Sequence, residues 1–197
     1  MDMPIEIVPA IRSIEVEHVG CWTSLRLEFI PGLNIITEEA GGLGKSTILW
    51  AIVRAIHPSS DLGILSPTKG FGEGRISVEF MSRGVSARVD RQKGAPPTSD
   101  RTESTGETML RMLRYHLEMA EEGTAVLFDD EALAVLDNPC FSQAVDLLNT
   151  SHKQIICVTA HRLNPADFPK ARIYACSWGQ DRDTAHMRLQ QSGGADG

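Results

Sequence analysis

The sequence predicts an α/β domain in which a mixed, mainly parallel sheet is flanked by helices and preceded by an antiparallel β portion. Three observations lead there. Over residues 11–29 apolar side chains alternate with polar ones, the pattern of half-buried antiparallel strands. Residues 125–128 and 155–158 are continuously apolar, as parallel strands covered on both faces must be. Between these regions an apolar run enters a glycine-rich loop that opens a helix, the local order of a phosphate-binding turn.

In chain order, Ile14, Val16 and Val19, then Leu25, Leu27 and Phe29, mark two short strands. Residues 33–37 form a third, which runs into the loop at Gly41, Gly42, Leu43 and Gly44. Residues 46–56 read as a helix that must stop before Pro58. After a Gly/Pro/Ser-rich stretch at 59–74, Ile76, Val78 and Phe80 face Val85, Ala87 and Val89 across Ser82-Arg83-Gly84, a β-hairpin pattern. Residues 92–102 are polar, contain Pro96-Pro97 and read as a loop. Leu110, Leu113 and Leu117 have helical spacing within 107–122, and Gly123 is placed to end that helix. A helix at 141–148 should link the strands 125–128 and 155–158, with two late strands at 173–178 and 186–189. Residues 1–190 then form a single domain and 191–197 a disordered tail, with no internal repeat or heptad run.

Composition narrows the function classes. A chain of 197 residues with 42% hydrophobic and 23% charged residues can bury one sizeable core. No stretch reaches the ~18 apolar residues of a membrane span, and a signal-peptide pattern is missing, so a cytoplasmic location is expected. Cys21, Cys140, Cys157 and Cys176 form no C-x-x-C pair and read as reduced, mostly buried thiols. A net charge of −7 argues against a whole-surface polyanion binder. A nucleic-acid partner stays open, through a local cluster of Arg111, Arg114, Arg162, Lys170 and Arg172, but charge does not point to one.

The chemistry concentrates in a few motifs. Gly44-Lys45-Ser46-Thr47 carries the core of G-x-x-x-x-G-K-[ST]. Glycines let backbone N–H groups approach phosphate oxygens, Lys45 would reach the β- and γ-phosphates, and the Ser46 hydroxyl would ligate Mg²⁺. The first glycine of that motif is replaced by Glu39, an acid unfavourable near a triphosphate unless it points away. Read as Gly41–Thr47, the loop also resembles the deviant phosphate loop of ParA/MinD-like ATPases, with Ala40 where those carry an extra lysine. Residues 125–128 lead into Asp129-Asp130-Glu131; Asp130 would hold Mg²⁺ through water and Glu131 would be the general base. Ser104-Thr105-Gly106-Glu107 has the form of a capping box.

The run from Asp130 and Glu131 to Leu136-Asp137 resembles the D-E-P-T-x-x-L-D segment of ABC ATPases, with Ala132 and Leu133 departing from it. Thr159-Ala160-His161 falls where that family has its switch histidine, and Ser104–Gly106 falls where a signature motif offers its helix start to the γ-phosphate on the other protomer. The opening, through Pro31-Gly32-Leu33-Asn34-Ile35-Ile36, looks like that of SMC, RecF and RecN-type ATPases. The resemblance covers nearly all of the chain. It implies a P-loop, ABC-type fold, Mg²⁺ and ATP as cofactors, and a Q-loop glutamine that senses Mg²⁺ and the γ-phosphate, for which Gln92 is the near candidate. It further implies a dimer closed by ATP, either of two copies or with a related ATPase, and a larger protein partner. Residues 92–104 are too few for the helical subdomain of a transporter ATPase or for an SMC coiled coil. The expected function is an ATP-hydrolysing switch, in DNA maintenance or phage defence. A transporter's nucleotide-binding subunit and a low-turnover scaffold are the alternatives. Trp22 is weighed as an adenine-stacking residue and reads better as a buried or anchoring aromatic.

Overall fold

Two sheets carry the chain, and the apolar pattern of their strands decides how they stack. The structure, a computed structural model, describes residues 5–38, 44–56, 68, 72–81, 87–89, 106–159, 163–179 and 185–192. The strands are β1 (Ile5–Pro9), β2 (Ile11–Val19), β3 (Trp22–Glu28), β4 (Leu33–Glu38), β5 (Arg75–Phe80), β6 (Ala87–Val89), β7 (Thr124–Phe128), β8 (Gln154–Val158), β9 (Arg172–Trp178) and β10 (Ala185–Ser192). The helices are α1 (Lys45–Ile56), α2 (Gly106–Met119), the short α3 (Asp130–Ala134) and α4 (Asn138–Thr150).

The larger sheet has the order β1-β7-β8-β4-β9-β10. Its four central strands are parallel, and β1 and β10 close the edges antiparallel. The smaller sheet, β3-β2-β5-β6, is antiparallel throughout. The expected mixed α/β architecture is therefore the observed one.

Alternation assigns each side chain to a layer. In β4, β7 and β8 every other residue, Ile36, Ala125, Leu127, Ile156 and Val158, joins a core shared with α1 and the smaller sheet. The intervening Ile35, Val126, Phe128, Ile155 and Cys157 join a second core beneath α2, α3 and α4. Helix α1 is buried on nearly all sides because it lies between the two sheets: Ile48, Leu49, Trp50, Ala51, Ile52, Val53 and Ala55 are all enclosed. In the smaller sheet Ile14 pairs with Leu27 and Val78, and Val16 with Leu25 and Ile76, all on the inner face. Glu15, Glu17, Arg26 and Arg75 occupy the outer one.

Buried polar side chains pin the layers. Gln154, at the start of β8, accepts from the Ile11 N–H (2.7 Å) and donates to the carbonyls of Ile11 (2.7 Å) and Ile30 (2.9 Å). It thereby joins the large sheet to the first residue of β2. Asn34 donates to the Ile30, Gly32 and Ile155 carbonyls and accepts from the Ile30 N–H, which shapes the turn into β4.

Three departures from the sequence reading stand out. Strand β1 was not expected: the segment is only five residues long and ends in Pro9, and it gains its place by pairing with β7, far away in sequence. Helix α3 was not expected either. Strand β10 continues through Gln191 and Ser192, into the segment read as a tail, where the Gln191 amide donates to the carbonyls of Phe168 (2.7 Å) and Ala171 (3.1 Å). Residues 193–197 lie outside the described ones. All four cysteines are free thiols, three of them buried, as expected. Among the described residues no helix is long and apolar enough to cross a membrane.

Candidate functional site

Because β4, β7 and β8 are parallel, their C-terminal ends open on the same side of the sheet, the side where open α/β sheets receive ligands. Strand β4 ends at Glu38, β7 delivers Asp129, and β8 delivers the buried Thr159, whose N–H donates to the Ile36 carbonyl at 3.0 Å. Helix α1 starts at this edge with Lys45.

The entry to α1 is built around Gly44, whose φ of +68° is a conformation that favours glycine. Its carbonyl accepts from the Thr47 N–H at 3.1 Å and from the Trp22 indole N–H at 3.1 Å. A Cβ on Gly44 would come within 2.5 Å of Cys21 Sγ and 3.3 Å of Trp22 Nε1. The β2–β3 turn, with Gly20 at φ +61°, supplies both neighbours, and Thr68 braces it by donating its hydroxyl to the Trp22 carbonyl and its N–H to the His18 carbonyl. Trp22 is fully buried. It serves as a brace under the loop and cannot stack on a nucleotide base.

Two consecutive residues of α1 then engage two different acids. Lys45 Nζ lies 2.5 Å from Glu38 Oε2, with both side chains only 5% exposed. The Ser46 hydroxyl donates to Asp129 Oδ1 at 3.1 Å. Around the ion pair sit two thiols. Cys176, the in-register neighbour of Glu38 on β9, is pushed up to about 12 chiefly by burial. Cys21 is likewise raised by burial. Both are neutral at ordinary pH.

Of the residues picked out in the sequence, Gly44, Lys45, Ser46 and Thr47 stand together at this edge. Asp130 and Glu131 open α3 directly after Asp129, and their side chains are outside the described set, as are Gly41, Gly42, Leu43, Gln92, Ser104 and His161, and the acid Glu39. Gly106 is the first residue of α2. Asp137 is the N-cap of α4: its Oδ1 accepts from the Cys140 N–H at 2.9 Å, and that bond lowers its pKa. Beside it lies an open groove of about 500 Å³ between α2 and α4, lined by Leu110, Arg111, Arg114 and Gln143.

Two residues escaped the sequence reading. The sequence reading puts Asp130 at the C-terminal end of the strand, whereas the end of β7 at Phe128 makes Asp129 the first acid beyond it. Glu38 carried no signal; it reads as an ordinary polar residue at the end of an apolar run.

The backbone as a whole has counterparts among solved structures. The SMC head domain from Thermotoga maritima matches with a TM-score of 0.59 and 12% identity, over 92% of this chain and 99% of that one. A structure of the SmcHead bound to the C-winged helix domain of ScpA matches at 0.54 and 12%, over 91% and 97%. The chain has the fold of an SMC head. At such identity the likeness speaks for the fold alone. No protein-family model matches the sequence, and no curated protein does. The SMC-head likeness spans nearly the entire chain and agrees with the P-loop architecture implied by the motifs.

Proposed function

We propose that this SMC-head-like domain binds Mg·ATP at the β4–α1 edge and hydrolyses it as a switch, closing with a second ATPase domain around the nucleotide. The observation that carries the reading is the pairing of Ser46 with Asp129 beside Lys45, at a helix start behind a positive-φ glycine. A hydroxyl and a carboxylate within hydrogen-bond reach are hard oxygen donors suited to Mg²⁺, which keeps waters and phosphate oxygens as its remaining ligands. Bound there, Mg²⁺ would neutralise charge on the phosphates.

In this reading the loop Gly41–Thr47 cradles the phosphates, Lys45 serves the β- and γ-oxygens, and Ser46 and Asp129 face the metal. Asp130, read from the sequence as the acid that holds Mg²⁺ through water, and Glu131, read as the base, follow at the start of α3. Gln92 and His161 would sense the γ-phosphate, while Ser104, Gly106 and Asp137 would meet the nucleotide held by the partner domain. The partner is a second copy or a related ATPase, with a larger protein bound in turn. The SMC-like fold supports a role in DNA maintenance or defence only by analogy.

Calorimetry tests the binding step: Lys45→Ala should abolish Mg·ATP binding, and Asp129→Asn should remove most of its dependence on Mg²⁺. Unchanged affinity in Lys45→Ala sinks the assignment. For the switch, Glu131→Gln should retain ATP, stop turnover and accumulate a dimer by light scattering, which Ser104→Arg should dissolve. Normal hydrolysis by Glu131→Gln would move the base to Asp130.

A further inference from the structure

The Lys45–Glu38 pair is buried at the point where the phosphates are to be held. An ammonium and a carboxylate with 5% exposure each have lost most of their hydration, and each offsets part of that loss for the other. The neighbouring thiols of Cys176 and Cys21 are held neutral by burial and add no negative charge beside the pair. A triphosphate arriving at Lys45 would either take the ammonium from Glu38 or share it. In both cases its oxygens meet a carboxylate already seated on their cation, and like charges in a poorly hydrated site repel strongly.

We propose that Glu38 is a built-in competitor for the phosphates: it occupies Lys45 in the nucleotide-free protein and sets the affinity for Mg·ATP. The inference rests on the nucleotide-binding reading above and deepens it. It also gives the site a selectivity. A ligand must bring several phosphate oxygens and its own Mg²⁺ to offset the displaced ion pair, so polyphosphates enter and a lone inorganic phosphate does not. Glu38 acts here on Lys45, as a residue that sets affinity.

The test is a calorimetric titration with Mg·ATP and, separately, with inorganic phosphate. Glu38→Gln keeps the size of the side chain and a carbonyl oxygen for the Lys45 ammonium while removing the charge, and should tighten Mg·ATP by about tenfold. Glu38→Asp keeps the charge on a shorter stem, loosens the pair, and should tighten binding by a smaller factor. Inorganic phosphate should bind measurably in Glu38→Gln and undetectably in the wild type. Unchanged or weaker Mg·ATP binding in Glu38→Gln overturns the proposal, because Glu38 would then be holding Lys45 in its working position. If a thermal melt shows that Glu38→Gln fails to fold, Glu38→Asp decides by the same criterion. Failure of the parent reading looks different: the wild type would not bind Mg·ATP, or Lys45→Ala would bind it equally well.

Discussion

Ion pairs occur in two settings in this molecule. On the outer face of the small sheet, Arg26 reaches Glu15 and Glu28, Arg12 reaches Glu79, and Arg75 reaches Glu17, with every side chain at least 40% exposed. At the end of β4, Lys45 and Glu38 make a single pair at 5% exposure. Water and salt screen the first set, and ordering long side chains costs entropy, so each such pair contributes about 0–1 kcal/mol. The buried pair has given up its hydration, and an apolar replacement of both partners is often as stable. The outer pairs stay hydrated and leave the inner face of the sheet to the apolar core. In the proposed reading the interior pair serves the phosphate site rather than the stability of the fold.

Four substitutions probe that contrast, from the largest expected effect to the smallest. Glu38→Leu strands the Lys45 ammonium and should cost about 3–5 kcal/mol in urea unfolding. If it costs no more than a surface change, the pair is not structurally coupled and the contrast collapses. Gly44→Ala forces a Cβ to within 2.5 Å of Cys21 Sγ at a positive φ. It should lose about 1–3 kcal/mol of stability, together with most nucleotide affinity; a neutral result would show that the α1 entry is adaptable.

Arg26→Ala should cost at most about 1 kcal/mol, and its coupling to Glu15 in a double-mutant cycle should fade in high salt. A coupling that survives salt would place the outer ladder in the same class as the buried pair. The smallest effect belongs to the exposed cap Asp137, whose pKa is lowered by the Cys140 N–H. A carboxylate with a depressed folded-state pKa stabilises above its unfolded value and loses that contribution as the pH falls through the folded one. Asp137→Ala should therefore melt slightly below the wild type at neutral pH. The two should converge well below pH 3.8, the ordinary value for aspartate. A gap that persists in acid would assign the loss to something other than the charged cap.

What the sequence determined by itself is local. The alternation at Ile14, Val16, Leu25 and Leu27, the apolar run before Gly44, and the continuous strands ending at Phe128 and Val158 each follow from the chain's own periodicity. That was enough for the elements of both sheets except β1, and for the phosphate-loop residues Lys45 and Ser46. Tertiary structure decided the rest, because it depends on which distant segments meet. Strand β1 exists through its register on β7, α3 through Ala132 and Leu133 entering the second core, and the end of β10 through Gln191 reaching Phe168 and Ala171. The same holds at the site. Whether Asp129 or Asp130 faces Ser46 turns on where β7 stops, and a glutamate becomes a partner of Lys45 only once β4 and α1 bury the two together. Spacing along a chain carries no measure of burial, and burial is what converts an ordinary glutamate into a charge that must be neutralised.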